Sequence, residues 1–117
     1  MSSPPLSPSL GAATTHTLLL VQVSDASDTR SWSEHNTVTH AIQEIIEAFQ
    51  TQLKRQNPRA QNISYDLDDL FNFIDGHQEL CALVYEPAQK AYAPKDRTWI
   101  KERANHYLMK QARGASR

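Results

Sequence analysis

The sequence predicts one α+β domain in which a four-stranded, mainly antiparallel sheet has three amphipathic helices on one face. Apolar residues recur at three- and four-residue spacing in three separate segments, which is typical of helices packed on a common core. Short apolar or alternating segments precede and separate these helices, giving the order β-β-α-α-β-β-α. The 117 residues are enough for one such domain.

The two ends of the chain differ in composition from its middle. Residues 1–15 are rich in serine, contain three of the six prolines and carry no charged side chain. Such a segment cannot bury enough apolar surface to offset the entropy lost on ordering, so we predict a disordered tail. Residues 16–112 then form the folded domain, and we expect residues 113–117 to fray.

The first two predicted strands differ in character. Thr17–Val23 contains a continuous apolar run, which indicates a strand covered on both faces. The polar segment Ser24–Thr29 is predicted to be a turn or loop. Arg30–Glu34 alternates weakly and is predicted to be a short second strand.

A long helix follows these strands. Asn36 or Thr37 can cap its start, and it is predicted to run to about Arg55, before Asn57 and Pro58 stop it. Its apolar stripe consists of Val38, Ala41, Ile42, Ile45, Ile46, Phe49 and Leu53.

The second half of the chain holds two more helices and two more strands. Asp66 is predicted to cap a short helix that Gly76 ends, and Asp96 to cap the last helix. Between them, Glu79–Tyr85 and Ala91–Ala93 are predicted to be antiparallel strands, with Pro94 ending the second. The apolar stripes of the two helices are Leu67, Leu70, Phe71 and Ile74, then Trp99, Ile100, Ala104, Tyr107 and Leu108.

The first strand has more apolar surface than one layer of helices can cover. Alternation places Leu19 and Val21 on one face, and Leu18, Leu20 and Gln22 on the other. Each large aliphatic side chain removed from water contributes roughly 1.5–3 kcal/mol, and a contiguous exposed apolar patch marks an interface. We therefore predict a two-fold homodimer through the second face. The alternative is that one helix crosses to this face and buries it within the chain.

No residue constellation predicts catalysis, a cofactor or a metal. The five histidines lack metal-ligand spacing, and Cys81 is the only cysteine. Asp66, Asp68 and Asp69 are explained by a helix start rather than by acid/base chemistry. The longest apolar run, at residues 18–21, is far shorter than the roughly 20 residues of a membrane span. We expect a non-enzymatic intracellular protein without membrane contact.

Three side chains remain as binding or modification candidates. Trp32 and Tyr92 lie on predicted short strands, where they can anchor a partner or equally cap the core. Ser31 begins a Ser-x-x-Glu pattern that acidophilic kinases accept, which makes it a possible phosphorylation site.

Two basic clusters raise the alternative of a direct RNA-binding module. One spans Lys54–Arg59 and the other spans Lys95–Arg103. Neither shows aromatic interleaving of the RNP kind, in which aromatic rings stack on RNA bases, and the net charge of the chain is −1. Solvated helix faces are the simpler interpretation of both clusters.

Several short segments, taken in order, resemble the enhancer of rudimentary homolog family. The Arg30–His35 segment is similar to the fungal branch, in which tryptophan replaces tyrosine. The matching segments are His16–Gln22, Leu53–Pro58, Ile63–Asp66, Leu70–Asp75, Leu83–Tyr85 and Trp99–Glu102.

This resemblance implies a sheet that dimerises through its open face, with Leu18 and Leu20 on the dimer-forming strand. It also implies a nuclear adapter without catalytic activity that binds linear segments of RNA-processing proteins. In fungi the implied partner is a YTH-domain RNA-binding protein, and the complex supports meiotic transcript elimination and gene silencing, so RNA is contacted only indirectly. An enzyme or cofactor-binding domain is a third possibility, which the missing polar constellation disfavours.

Overall fold

The computed structural model describes residues 15–115 and shows the predicted order of elements. The predicted tail, residues 1–15, lies outside this range except for Thr15, which is buried. A short 3₁₀ turn, Ser27–Thr29, separates the first two strands. The strands and helices are β1 Thr17–Gln22, β2 Arg30–His35, α1 Val38–Gln56, α2 Leu67–Asp75, β3 Glu79–Glu86, β4 Ala91–Lys95 and α3 Arg97–Ala115.

The four strands form an open antiparallel sheet in the order β2-β1-β3-β4. β1 is a central strand, paired with β2 on one side and with β3 on the other, but among the described residues helices cover only one of its two faces. In the register, Leu20 lies between Trp32 of β2 and Cys81 of β3, while Leu18 lies opposite Leu83. The predicted α+β fold with a mainly antiparallel sheet is confirmed.

Side-chain caps start the three helices where the sequence predicts them. The Thr37 hydroxyl accepts a hydrogen bond of 3.0 Å from the His40 N–H, which decides between the two candidate caps of α1. Asp66 and Asp69 form a reciprocal capping box at α2, with distances of 2.9 and 3.1 Å. The Asp96 carboxylate accepts from the Trp99 N–H at 3.0 Å at the start of α3.

One hydrophobic core lies between the sheet and the helix layer. α1 and α3 pack on one face of the sheet, and α2 packs beside both helices. The strands supply Leu19, Leu80, Ala82 and Val84, all from the face that alternation assigns to the helices. The helices supply Val38, Ile42, Ile45, Ile46, Phe49, Leu70, Ile74, Ile100 and Ala104.

Arg97 ties the start of α3 to the end of α2. Its guanidinium donates to the carbonyl oxygens of Ile74, Asp75 and Gln78 at 3.3, 3.0 and 2.9 Å. These carbonyls lie at or just beyond the C-terminal end of α2, where backbone acceptors lack helical partners. A salt bridge of 2.7 Å between Lys101 and Asp75 joins the same two helices.

Two elements extend more than one residue beyond their predicted ends. Pro94 does not end the last strand but lies inside β4, opposite Leu83. β4 is an edge strand, where a proline need not remove a ladder hydrogen bond. The last helix also continues past residue 112, through Ala115, so Arg113 lies within α3.

Candidate protein interface

The strand side chains that point away from the helices form one apolar surface, which we call the open face. Leu18 and Leu20 lie at its centre on β1, and the aromatic rings lie on strands at either side. Tyr85 and Tyr92 are paired across β3 and β4, with ring centroids 5.2 Å apart. The open face comprises Leu18, Leu20, Trp32, Cys81, Leu83, Tyr85 and Tyr92.

The open face is incompletely covered by the residues that the structure describes. The exposed fractions are 38% for Leu20, 65% for Trp32 and 41% for Tyr92, whereas Leu19 on the other face is 1% exposed. Leu18 and Leu83 are half-buried by their neighbours in the sheet. Within residues 15–115 no helix crosses to this face, so the alternative of internal burial is wrong for this part of the chain.

Gln22 has a position that alternation alone did not reveal. It is only 5% exposed, because the turn between β1 and β2 surrounds its side chain. Its Nε2 donates to the Ser24 carbonyl at 2.8 Å, and its Oε1 accepts from Arg30 Nε at 2.9 Å. The polar segment Ser24–Thr29, which begins two residues after Gln22, was the available signal. Its role in a dimer stays a prediction, since a single chain does not test it.

A polar network borders one end of the open face. His16 Nδ1 and the Tyr92 hydroxyl are joined by a hydrogen bond of 2.7 Å, and His16 Nε2 lies 3.6 Å from the Glu34 carboxylate. These contacts link β4 to β2 across the start of β1, and they orient the Tyr92 ring. No specific role for His16 was predicted from the sequence, because its partners are distant in the chain. An apolar centre with a polar border is the usual anatomy of a protein interface.

The helix-covered face is not closed at every point. A cavity of about 380 Å³, which we call the α1 groove, opens beside α1 near the end of β1. Leu19, Ile45 and Leu80 contribute to its apolar lining, and Val23 at its rim is 60% exposed. This groove was not predicted from the sequence, although the apolar Val23 at the end of a strand was a possible signal.

Ser31 lies on β2 with its side chain toward the helix side of the sheet, where it lines the α1 groove. Ser31 is exposed, so its side chain lies at the surface of the fold. Phosphorylation of Ser31 stays a prediction.

The two basic clusters differ in their surroundings. Lys54, Arg55 and Arg59 are exposed at and beyond the C-terminal end of α1. In the second cluster, Lys95 lies 3.5 Å from Glu86, and Arg103 stacks 5.4 Å above the Trp99 ring. Arg97 and Lys101 hold α2 and α3 together, as described above. The side chains of the second cluster are therefore engaged in contacts within the fold, and this cluster gives little support to a phosphate-binding surface.

No group of three or more histidine, cysteine, aspartate or glutamate side chains in residues 15–115 is placed to hold a metal ion. Cys81 is a half-buried free thiol on the open face. None of the helices described is both long and apolar enough to cross a membrane.

Fold and surface together define a small α+β domain whose distinguishing feature is an apolar sheet face rather than a polar pocket. The family model described as enhancer of rudimentary matches residues 13–114. An enhancer of rudimentary homolog from Arabidopsis thaliana is 43% identical over 99 residues, which cover 85% of this chain and 91% of that protein.

Two further relatives span similar lengths. Protein enhancer of rudimentary from Drosophila virilis is 36% identical over 97 residues, covering 83% of this chain and 92% of the relative. Enhancer of rudimentary homolog 1 from the fungus Schizosaccharomyces pombe is 32% identical over 108 residues, covering 92% and 93%. The chain therefore belongs to the enhancer of rudimentary family, which confirms the resemblance seen in its sequence.

Proposed function

We propose that this chain is a non-catalytic homodimeric adapter that acts in the nucleus and binds peptide segments of RNA-processing proteins. The observation that carries the proposal is the open face. It presents leucines and aromatic rings from all four strands, and none of the described helices covers it. A monomeric soluble protein rarely exposes so continuous an apolar surface.

A second copy is the partner that best fits the centre of the open face. Leu18 and Leu20 lie on the central strand, so a two-fold axis near β1 brings the leucines of one protomer onto those of the other. Burial of each large aliphatic side chain contributes roughly 1.5–3 kcal/mol. The flanking Trp32 and Tyr92 then lie nearer the border of the interface, where they can contact a partner protein.

The partner class rests on family membership. In fungi we propose a YTH-domain RNA-binding protein as the partner, and support of meiotic transcript elimination and gene silencing as the role. The chain would reach RNA through this partner, because its net charge is −1 and its Lys95–Arg103 cluster is engaged in contacts within the fold.

The dimer is tested by Leu18→Arg/Leu20→Arg, measured by sedimentation equilibrium beside the parent chain. The parent should have twice the 13.3 kDa chain mass and the variant the mass of one chain, because each arginine would be buried unpaired in the interface. Val23→Arg/Met109→Arg is a matched control, since it adds the same charge at two exposed apolar residues outside the open face. A dimeric Leu18→Arg/Leu20→Arg variant, or a monomeric parent at micromolar concentration, would refute the dimer.

The adapter role is tested by capture from nuclear extract with the parent chain and the monomeric variant, followed by identification of bound proteins. We expect RNA-processing proteins to be enriched by the parent even after nuclease treatment, and to be lost with the variant. Salt-sensitive binding of purified RNA by the chain alone would instead favour the direct RNA-binding function.

A further inference from the structure

The two edges of the sheet differ in their capacity to accept another strand. β2 and β4 are the edge strands, and each is paired on one side only among the described residues. β4 contains Pro94, which has no backbone N–H to donate. β2, Arg30–His35, has no proline, so the backbone groups on its outer side remain able to pair with an added strand.

The α1 groove lies alongside this unprotected edge. Ser31 of β2 and Ala48, Thr51 and Arg55 of α1 line the groove together. Side chains alternate between the two faces of a sheet, so alternate residues of a strand added to β2 would point to the helix side, and those near Ser31 would face the groove. The apolar lining and the exposed Val23 favour apolar side chains at those positions.

The charges of the groove favour an acidic ligand. Glu44 is already engaged, because its carboxylate lies 3.4 Å from His35 Nε2 and accepts a hydrogen bond of 3.1 Å from the Ser33 hydroxyl. Arg55 takes part in no ion pair among residues 15–115. Glu44 keeps its negative charge, because His35 is charged only if protonated, but its carboxylate oxygens are already engaged. Arg55 is therefore the charged side chain of the groove that is left to pair with an acidic group of a ligand.

We propose that an extended peptide segment of a partner protein adds to the outer edge of β2 as a fifth strand. Its alternate apolar side chains enter the α1 groove, and an aspartate or glutamate near them pairs with Arg55. Its remaining side chains continue the open face beside Trp32. This inference rests on the proposed adapter function and specifies where the peptide binds and which residues it carries.

A second copy of the chain fits the same edge poorly. If two β2 strands paired with each other, the residues directed toward the groove side would be Ser31, Ser33 and His35. These side chains are polar, and Ser33 and His35 already contact Glu44. The groove therefore matches a different sequence, with apolar residues in alternate positions.

The test is selection of a phage-displayed library of random twelve-residue peptides on the full chain. We expect the enriched peptides to share alternating apolar residues and an acidic residue. Val23→Asp should weaken binding of an enriched synthetic peptide at least about tenfold, because it replaces an apolar side chain at the groove rim with a carboxylate that repels the acidic residue of the peptide. Arg55→Glu should weaken it about fivefold, the upper range for an exposed ion pair.

Lys54→Glu is the matched control for Arg55→Glu. It makes the same change of charge on the adjacent exposed residue of α1, and both variants lose a similar favourable interaction with the helix C-terminus. Lys54 lines a different surface depression with Tyr65, so peptide affinity should stay within about twofold of the parent. Selection repeated on Arg55→Glu should enrich lysine or arginine in place of the acidic residue.

Hydrogen exchange measured by NMR tests the strand addition itself. With the peptide bound, amides on the outer side of β2 should exchange more slowly, because they enter a new ladder. Enriched peptides that bind Val23→Asp and Arg55→Glu as tightly as the parent, or that leave β2 exchange unchanged, would overturn this site but leave the adapter function standing. Failure to enrich any peptide would count against both proposals.

Discussion

The two faces of β1 carry the same kind of residue with different consequences. Leu19 and Leu20 are neighbours in one strand, yet the first is 1% exposed and the second is 38% exposed. The difference arises because α1 and α3 pack on only one face of the sheet. An aliphatic side chain therefore stabilises the fold on one face and, in the proposed dimer, association on the other.

The contacts that hold the helix layer together are separate from the open face. Arg97 and the Asp66 cap hold α2 and α3 in place without contacting the open face. Substitutions in the helix layer should therefore change the free energy of unfolding and leave self-association intact. Substitutions on the open face should have the opposite effect.

The largest effect on stability is expected from Leu19→Ala. It leaves a cavity in the core, so the free energy of unfolding should fall by about 3 kcal/mol. Leu20→Ala should lower it by less than about 1 kcal/mol, because the side chain is partly in water already. Both are measured by urea denaturation in the Leu18→Arg background, so that association does not contribute. Equal losses would contradict the assignment of the two faces.

Arg97→Ala should give the next largest effect. It removes the guanidinium that donates to three carbonyls, and hydrogen bonds from a charged group contribute about 2 kcal/mol. Arg103→Ala serves as the control, since that side chain stacks on Trp99 at the surface. Sedimentation equilibrium should show an unchanged association state for both variants. A dimer lost with Arg97→Ala would show that the two layers are coupled.

Asp66→Ala should cost about 1 kcal/mol of unfolding free energy, because the capping box of α2 is lost. Asp68→Ala removes a carboxylate from the same first turn but from outside the capping box. Thermal unfolding of both variants at one pH separates the cap from a general effect of helix charge. Equal shifts in the midpoint would contradict a stabilising role of the capping box.

Trp32→Ala should change the stability of the monomeric background by less than about 0.5 kcal/mol, because the ring is mostly in water. In the parent background it should raise the dissociation constant of the dimer or weaken partner capture. If neither association nor capture changes, Trp32 has no part in the interface.

Ser31→Glu should have the smallest effect on folding, within about 0.5 kcal/mol, because Ser31 is exposed on an edge strand. Phosphorylation is tested separately, by mass spectrometry of the protein from its native cells. Protein that always lacks phosphate on Ser31 would contradict the kinase-site prediction.

Local chemistry was enough to predict most of the elements. The caps Asp66 and Asp96 and the apolar stripes of the helices depend on residues three or four positions apart, so the sequence alone contains the signal. The prediction that Pro94 ends the last strand was wrong, because a proline can lie within a strand only if that strand is at the edge of the sheet. The order of the strands is not a local property.

The α+β class, the starts of α2 and α3 and the surplus of leucines on β1 could all be predicted from the sequence. The strand order, the enclosed amide of Gln22 and the α1 groove depended on the tertiary packing. It also decided the carbonyl partners of Arg97, which lie 19 to 23 residues away in the chain. The physical reason is that hydrogen bonding and burial between distant residues depend on how the elements pack, whereas capping and periodicity depend on a single turn or strand.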